Sequence, residues 1–156
     1  MTDFEFVVTG PKITKYGNRA TAPVIEEIIR DAKSEIQMVA YLIGPSAVNM
    51  LKLLKASAER GITLTIIIND LEKQNKKIVT FLKKLQEKSP HCRVIDFKNL
   101  NTEQIHAKIL IVDRKVALLG SANYSWGGMY DNYEIGVLLK GKPVWNLSNM
   151  VDSLSR

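Results

Sequence analysis

Residues 106–134 read HAKILIVDRKVALLGSANYSWGGMYDNYE, and this stretch is the most informative part of the chain for both fold and chemistry. Its two apolar runs, 109–112 and 116–119, predict a hairpin of buried β-strands. Strands paired across the polar turn between these runs place His106 opposite Ala122. Polar residues that are distant in sequence are therefore expected to meet at one end of the hairpin.

The polar residues at that end have the chemistry needed to handle a phosphodiester. His106 supplies a nucleophile, Lys108 a fixed positive charge, and Ser121 and Asn123 supply uncharged hydrogen-bond donors for phosphate oxygens. His106 and Lys108 are two positions apart, so in a strand they project from the same face. Gly120 permits close approach of backbone or phosphate.

The stretch resembles the HKD motif of the phospholipase D superfamily. The pattern H-A-K, four residues, D, six residues, G-S-A-N is matched without a gap by His106, Lys108, Asp113, Gly120, Ser121 and Asn123. The downstream acidic residue of the family, in an N-x-E setting, matches Glu134. The resemblance implies a phospholipase D-like α/β fold, a mixed β-sheet sandwiched by helices with one motif per chain. We expect residues 1–156 to form a single catalytic domain.

The resemblance also implies a mechanism. His106 would attack phosphorus and form a phosphohistidine, while Lys108 and Asn123 stabilise charge on the phosphoryl oxygens. Ser121 would assist the phosphate contact. Glu134 would accept the other imidazole N–H and so orient the ring. A second histidine would protonate the leaving oxygen and then activate water.

Four other residues of the stretch have less direct roles. Asp113 and Gly120 belong to the motif, and an aspartate in a hairpin turn is expected to have a structural role rather than to carry a proton. Trp126 and Tyr130 lie in the loop before the acidic residue. Exposed rings there can stack on a base or dip into a lipid interface. The alternative is that they pack under the loop or in a dimer interface.

The second histidine is expected to come from a second copy of the chain. The sequence has two histidines, and His91 in SPHCRV has no lysine two residues later and no GS-x-N pattern downstream. We therefore interpret His91 as a loop or strand-edge residue. A two-fold homodimer would bring two copies of His106 together. The rate would then have a bell-shaped dependence on pH, with two apparent pKa values that belong to the histidine pair and not to either residue alone.

Composition narrows the class of protein. The chain has 156 residues, 46% of them hydrophobic, and one cysteine, Cys92, which cannot form an internal disulfide. The sequence shows neither a signal peptide nor a run of apolar residues that could cross a membrane, so a cytoplasmic location is expected. The pattern of His, Cys, Asp and Glu predicts no metal site and no cofactor.

The net charge of +6 and the pI of about 9.4 favour a polyanionic partner. Much of the excess lies in residues 71–88, LEKQNKKIVTFLKKLQEK, a predicted helix rich in lysine. This charge suits nucleic acid and anionic lipid headgroups equally. It is also compatible with an ordinary solvated helix face.

The remainder of the chain alternates between strands and helices, which predicts an α/β sandwich with a mixed sheet. Besides the hairpin, strands are predicted at 4–8, 36–43, 62–68, 92–95 and 135–139. Helices are predicted from 21 to about 33, from an N-cap at Ser46 to Arg60, over the lysine-rich stretch, and from about Val144 to the end.

The leading functional hypothesis is a metal-independent phosphodiesterase, an endonuclease that cleaves DNA in preference to RNA and acts as a homodimer. The first alternative is a phospholipase D-type hydrolase of phospholipid headgroups or cardiolipin, with anionic lipid as partner. The second is a nucleic-acid-binding module without turnover, which the complete set of motif residues disfavours.

Overall fold

The computed structural model describes residues 3–156 and contains one mixed β-sheet with helices on both faces. Its eight strands, in chain order, are β1 Asp3–Thr9, β2 Arg19–Ala20, β3 Glu35–Ala40, β4 Thr63–Ile68, β5 Cys92–Asp96, β6 Ile109–Val112, β7 Val116–Gly120 and β8 Glu134–Lys140. The helices are α1 Pro11–Thr14, α2 Thr21–Arg30, α3 Val48–Glu59, α4 Lys76–Lys88, α5 Phe97–Leu100 and α6 Lys142–Leu154. The predicted fold class is confirmed.

The sheet has the strand order β2-β1-β8-β7-β6-β3-β4-β5. Strands β3, β4 and β5 are parallel, whereas β6, β7 and β8 pair in an antiparallel manner. In the β6–β7 hairpin, Ile109 pairs with Leu119 and Val112 with Val116. Continuing this register beyond the strands sets His106 opposite Ala122, as the apolar runs predicted.

Each face of the sheet has its own hydrophobic core. Helices α2, α3 and α4 cover one face, where Ile29, Met38 and Leu54 are fully buried. Helix α6 covers the other face through Val144 and Val151, which pack with strand residues of β3 to β7. No helix within residues 3–156 is long and apolar enough to cross a membrane.

Helix α6 leaves part of the sheet face beneath it uncovered. On β1 and β8 the side chains of Phe4, Phe6 and Ile135 are 58%, 53% and 59% exposed. Phe6 pairs with Val137, so its side chain lies on the same face as the residues under α6. A groove of about 560 Å³ continues this surface toward Lys108 and Gly120. We call Phe4, Phe6, Ile135 and Val137 the apolar sheet patch.

Three predicted elements were wrong in detail. The lysine-rich helix predicted over 71–88 begins only at Lys76, because the Asn75 side chain accepts from Lys77 N and caps the helix there. The strand predicted over 36–43 ends at Ala40, because the next residues turn out of the sheet and bond to loops. Ser46 was predicted to cap the following helix. Instead it lies in a 3-10 turn, and α3 begins at Val48 with Ala47 as an N-cap that makes no side-chain hydrogen bond.

Candidate active site

His106 and Lys108 lie side by side immediately before β6 begins. The Lys108 Nζ atom is 3.0 Å from Nδ1 and 3.3 Å from Nε2 of His106, and it donates to the His106 carbonyl oxygen at 2.8 Å. The ammonium group therefore lies against the imidazole ring, beside both of the nitrogen atoms that could act as the nucleophile.

Lys108 is held in a partly buried environment that strengthens the attraction between its charge and an anion. The residue is only 9% exposed, and this burial lowers the pKa of its ammonium group. The negative charge of Glu134 acts in the opposite direction and raises the pKa. A partly buried cation interacts more strongly with an approaching anion than one in bulk water does.

Tyr41 completes this part of the site, and the sequence analysis missed it. The rings of Tyr41 and His106 are 4.5 Å apart between centroids, and Lys108 Nζ lies 5.5 Å from the centroid of the Tyr41 ring. The tyrosine ring therefore contacts the imidazole and makes a cation–π contact with the lysine. The sequence signal that could have indicated Tyr41 is its position at the end of a buried strand, in the segment AYLIG.

A buried glutamine positions Tyr41. The side-chain oxygen of Gln74 accepts from Ile43 N at 3.0 Å, and its amide nitrogen donates to the carbonyl oxygens of Tyr41 and Asp70 at 3.2 and 3.0 Å. Gln74 is 7% exposed, so these bonds are shielded from water. The residues just before α4 are thus tied to the edge of the site.

The segment after the motif is anchored from the other side. Tyr124 N donates to Leu42 O at 3.2 Å, and Gly44 N donates to Tyr124 O at 2.7 Å. Tyr124 is buried, and this burial raises the pKa of its hydroxyl. The loop that carries Ser121 and Asn123 is therefore held against the segment that carries Tyr41.

Ser121 and Glu134 meet across β7 and β8. The Ser121 hydroxyl donates to the Glu134 carboxylate, and Asn132 Nδ2 donates to its other oxygen at 3.2 Å. Among the described residues, the hydrogen bonds of Glu134 run to these two side chains, and the His106 ring contacts Lys108 instead. The predicted bond from His106 to Glu134 is therefore not formed here, and the role of Glu134 in orienting His106 stays a prediction.

Asn123 carries an unsatisfied polar atom. Its Oδ1 atom is buried and, among residues 3–156, has no hydrogen-bond partner. The backbone around it is closely packed, since a Cβ atom on Gly128 would lie 2.1 Å from Asn123 O. An amide oxygen accepts hydrogen bonds, as do phosphoryl oxygens, so the predicted phosphate contact of Asn123 would come from its Nδ2 donors and stays a prediction.

The two motif residues expected to be structural have clear packing roles. Gly120 pairs with Gly136, and a Cβ atom on Gly120 would lie 2.5 Å from Gly136 Cα. The Asp113 carboxylate accepts bonds from Lys33 N at 2.9 Å, Ser34 N at 2.7 Å and Glu35 N at 3.0 Å. Asp113 thereby fastens the hairpin turn to the start of β3.

The aromatic residues of the loop face solvent. Trp126 is 61% exposed and Tyr130 42% exposed, and their ring centroids are 4.8 Å apart with an angle of 38° between the planes. Tyr130 lies in a single turn of π-helix, residues 127–131. This exposure excludes packing under the loop within the chain. Contact of the pair with substrate stays a prediction.

The family model described as cardiolipin synthase, PLD-like domain, matches residues 25–152. The chain belongs to the phospholipase D superfamily. The superfamily predicted from residues 106–134 is thereby confirmed. Within residues 3–156, no group of three or more His, Cys, Asp or Glu side chains is arranged to hold a metal ion.

Two curated relatives show how far the likeness to other superfamily members extends. The DISARM protein DrmC of Bacillus paralicheniformis is 25% identical over 153 residues, which are 96% of this chain and 62% of that protein. The 5'-3' exonuclease PLD3 of Rattus norvegicus is 30% identical over 90 residues, 58% of this chain and 18% of that protein. The chain thus spans less than two thirds of the length of either relative.

Solved structures from the superfamily share the fold. NucT from Helicobacter pylori superposes with a TM-score of 0.73 at 20% identity, covering 99% of this chain and 96% of that one. Nuc from Salmonella typhimurium, a phospholipase D family member, also gives 0.73, at 21% identity, with 98% and 93% covered. At this identity the likeness concerns the fold.

Proposed function

We propose that this chain is a metal-independent endonuclease that cleaves DNA, in preference to RNA, through a phosphohistidine intermediate. The observation that carries the proposal is the Lys108 ammonium group bonded against the His106 ring. This contact sets a cation beside the proposed nucleophile, where phosphoryl oxygens would arrive. The nuclease assignment draws support from the net charge of +6 and from the relative named as an exonuclease.

In the proposed reaction, a His106 nitrogen attacks phosphorus and the bond from phosphorus to the leaving oxygen breaks. A second histidine donates its proton to that oxygen. Water, deprotonated by the same second histidine, then attacks phosphorus, and the bond to His106 breaks. Lys108 and Asn123 stabilise the charge on the phosphoryl oxygens in both steps, which is work that a metal ion does in other phosphodiesterases.

The proposal assigns the second histidine to the partner of a homodimer. His91 is an exposed residue just before β5, and β5 runs parallel to β3. It therefore lies at the opposite end of the sheet from Tyr41 and His106, about 16 Å away for five residues of strand. A two-fold pair of chains would instead supply His106 of one copy to the site of the other.

The apolar sheet patch is the surface we propose for this pairing. Its exposed Phe4, Phe6 and Ile135 form a contiguous apolar surface of the kind that marks protein interfaces. We call the end of the sheet that carries Tyr41, His106 and Lys108 the catalytic edge. The groove beside the patch is lined by Lys108 and Gly120, so a copy packed there would sit next to this edge.

Phe6→Glu tests the dimer, because it places a charge in the middle of the patch. We expect sedimentation velocity to show monomers and phosphodiesterase activity to fall at least 100-fold, with the circular dichroism spectrum unchanged. Leu100→Glu changes a residue that is 54% exposed beside the opposite sheet edge, and it should leave the dimer intact. A fully active monomer would refute the shared site.

The description of the family model, a cardiolipin synthase domain, supports a phospholipid as substrate, and so the alternative in which the chain hydrolyses phospholipid headgroups or cardiolipin. The same histidine chemistry would serve that reaction. The third hypothesis, binding without turnover, has no observation in its favour. Cardiolipin vesicles therefore belong in the test beside nucleic acids.

The deciding experiment measures cleavage of plasmid, single-stranded DNA, RNA and cardiolipin vesicles in EDTA. We expect the wild type to cut DNA, His106→Ala to be inactive, and His91→Ala to retain activity. His91→Ala is the matched control because it removes the other histidine of the chain. Complete loss of activity in EDTA that magnesium restores would refute the mechanism, and hydrolysis of cardiolipin alone would refute the nuclease.

A further inference from the structure

A second cationic site lies between α3 and α4, away from the catalytic edge. It is a groove of about 520 Å³ at the C-terminal ends of the two helices. Lysine side chains form its rim and apolar ones its floor; those that matter here are Lys55, Lys84 and Lys88 on the rim, and Phe81 and Leu85 on the floor. We call it the helix groove.

We propose that the helix groove binds single-stranded nucleic acid several nucleotides away from the phosphodiester being cleaved. The inference rests on the proposed function, and it specifies the form of nucleic acid that the catalytic edge receives.

The charge of the groove is largely uncompensated. Glu59 is the one carboxylate among the lining residues, and it is already paired with Lys55 at 3.8 Å. Lys84 and Lys88 take part in no ion pair among residues 3–156. Two lysines one helical turn apart on an exposed helix can contact successive phosphates of one strand.

The floor explains why the ligand is a single strand. Leu85 is 5% exposed and Phe81 packs partly against the core, so the floor of the groove is apolar between its cations. In a duplex the bases are paired and stacked inside, and only charged backbone would meet this floor. A single strand exposes bases that pack on apolar and aromatic side chains while its phosphates meet lysines.

Helix α4 connects the groove to the catalytic edge. Its first turn follows Gln74, which bonds the backbone of Tyr41, and the Tyr41 ring contacts His106. The 13 residues of α4 span about 20 Å. A single strand leaving the site would therefore have to follow the helix for several nucleotides before it reached the far end. Lys77, in the first turn of α4, lies along this course of the strand.

This geometry favours a polymer over a lipid headgroup, because a headgroup would occupy the catalytic edge alone. It also favours nucleic acid over an acidic protein, since the lysines of α4 start in its first turn, at the end of the helix nearer Tyr41. An acidic protein partner is the competing occupant, and the test below distinguishes the two.

The test compares Lys84→Gln/Lys88→Gln with Lys115→Gln/Lys140→Gln, an equal loss of charge at exposed residues by the ends of β7 and β8, several strands away from β4 and β5. Binding of a fluorescent 20-nucleotide oligo-dT is measured by anisotropy over a range of salt concentrations. For the groove variant we expect the Kd to rise roughly tenfold and the salt slope to fall by about 1.4. The control should bind like the wild type.

Hydrolysis of bis(p-nitrophenyl) phosphate, which occupies the catalytic edge alone, should be equal in all three proteins. Unchanged oligonucleotide binding by the groove variant, or an equal loss in the control, would overturn the proposal and leave the groove to another partner. An equal loss for a 20-base-pair duplex would overturn the assignment to single strands. Failure of the wild type to hydrolyse any phosphodiester refutes the proposed function separately, because binding is measured without turnover.

Discussion

Asp113 is part of the HKD motif, yet its contacts predict that Asp113→Asn impairs folding and spares chemistry. One carboxylate oxygen accepts from Ser34 N, Ser34 Oγ and Glu35 N, and the other accepts from Lys33 N. Burial raises the pKa of this carboxyl, but the hydrogen bonds outweigh it and hold the pKa below its usual range.

The size of the effect follows from these four bonds. An asparagine keeps one acceptor oxygen, so the bond from Lys33 N, worth about 1.5 kcal/mol to a charged acceptor, is lost. The other three weaken by about 0.5 kcal/mol each at this partly exposed position. The expected cost is therefore about 3 kcal/mol, or roughly 10 °C in Tm for a domain of this size.

The stability that the Asp113 carboxylate contributes to the fold depends on pH. A carboxyl whose pKa is lower in the folded than in the unfolded protein stabilises the fold above its unfolded pKa, about 3.9 for Asp. This contribution is lost as the pH falls through the folded pKa. The stability difference between wild type and Asp113→Asn is therefore expected to be full at pH 7 and to shrink below about pH 4.

Urea denaturation followed by circular dichroism measures the cost at pH 7 and pH 3. Asp31→Asn, at an exposed aspartate just after α2, is the matched control and is expected to change stability by less than about 0.5 kcal/mol. The kcat of Asp113→Asn at 25 °C should stay within about threefold of wild type. A variant with wild-type stability and a kcat reduced 100-fold would refute the reasoning.

Three further predictions concern other parts of the fold. Gly120→Ala should lower the free energy of unfolding by about 2–4 kcal/mol, because its Cβ would lie 2.5 Å from Gly136 Cα; an unchanged urea midpoint would contradict this. Tyr41→Leu should reduce kcat/KM about tenfold while leaving substrate-free stability within about 1 kcal/mol, because it removes the ring that contacts His106; wild-type kinetics would count against a positioning role. Burial raises the pKa of Cys92 to about 11, so a thiol reagent at pH 8 should label it only in urea, and rapid labelling in native buffer would disprove this.

Sequence patterns predicted the central hairpin well because its information is local. The apolar runs of residues 106–134 specify two buried strands, and the turn between them sets the register. The left-handed backbone at Asp113 and Arg114, with φ of 54° at both, fits a tight turn that reverses the chain. Arg114 is then held there by ion pairs with Glu35 at 2.5 Å and Asp152 at 2.8 Å.

The surroundings of the site were not predictable in the same way. Tyr41 was assigned to a strand over 36–43, since an apolar run gives no sign of where a strand leaves its sheet. Its exit depends on Gln74 and Tyr124, which are distant in sequence. Similarly, the N-x-E pattern identified Glu134 but not that its carboxylate bonds Ser121, a contact that depends on the pairing of β7 with β8.

The amino-acid sequence was sufficient to identify the family, the mixed α/β fold and the chemical groups of the site, because each depends on short-range spacing of residue types. The apolar sheet patch and the helix groove were not visible in it. Each is built by packing between separate elements, β1 with β8 and α3 with α4. Which faces of those elements stay uncovered depends on how the helices pack across the sheet, and one-dimensional patterns carry no record of that packing.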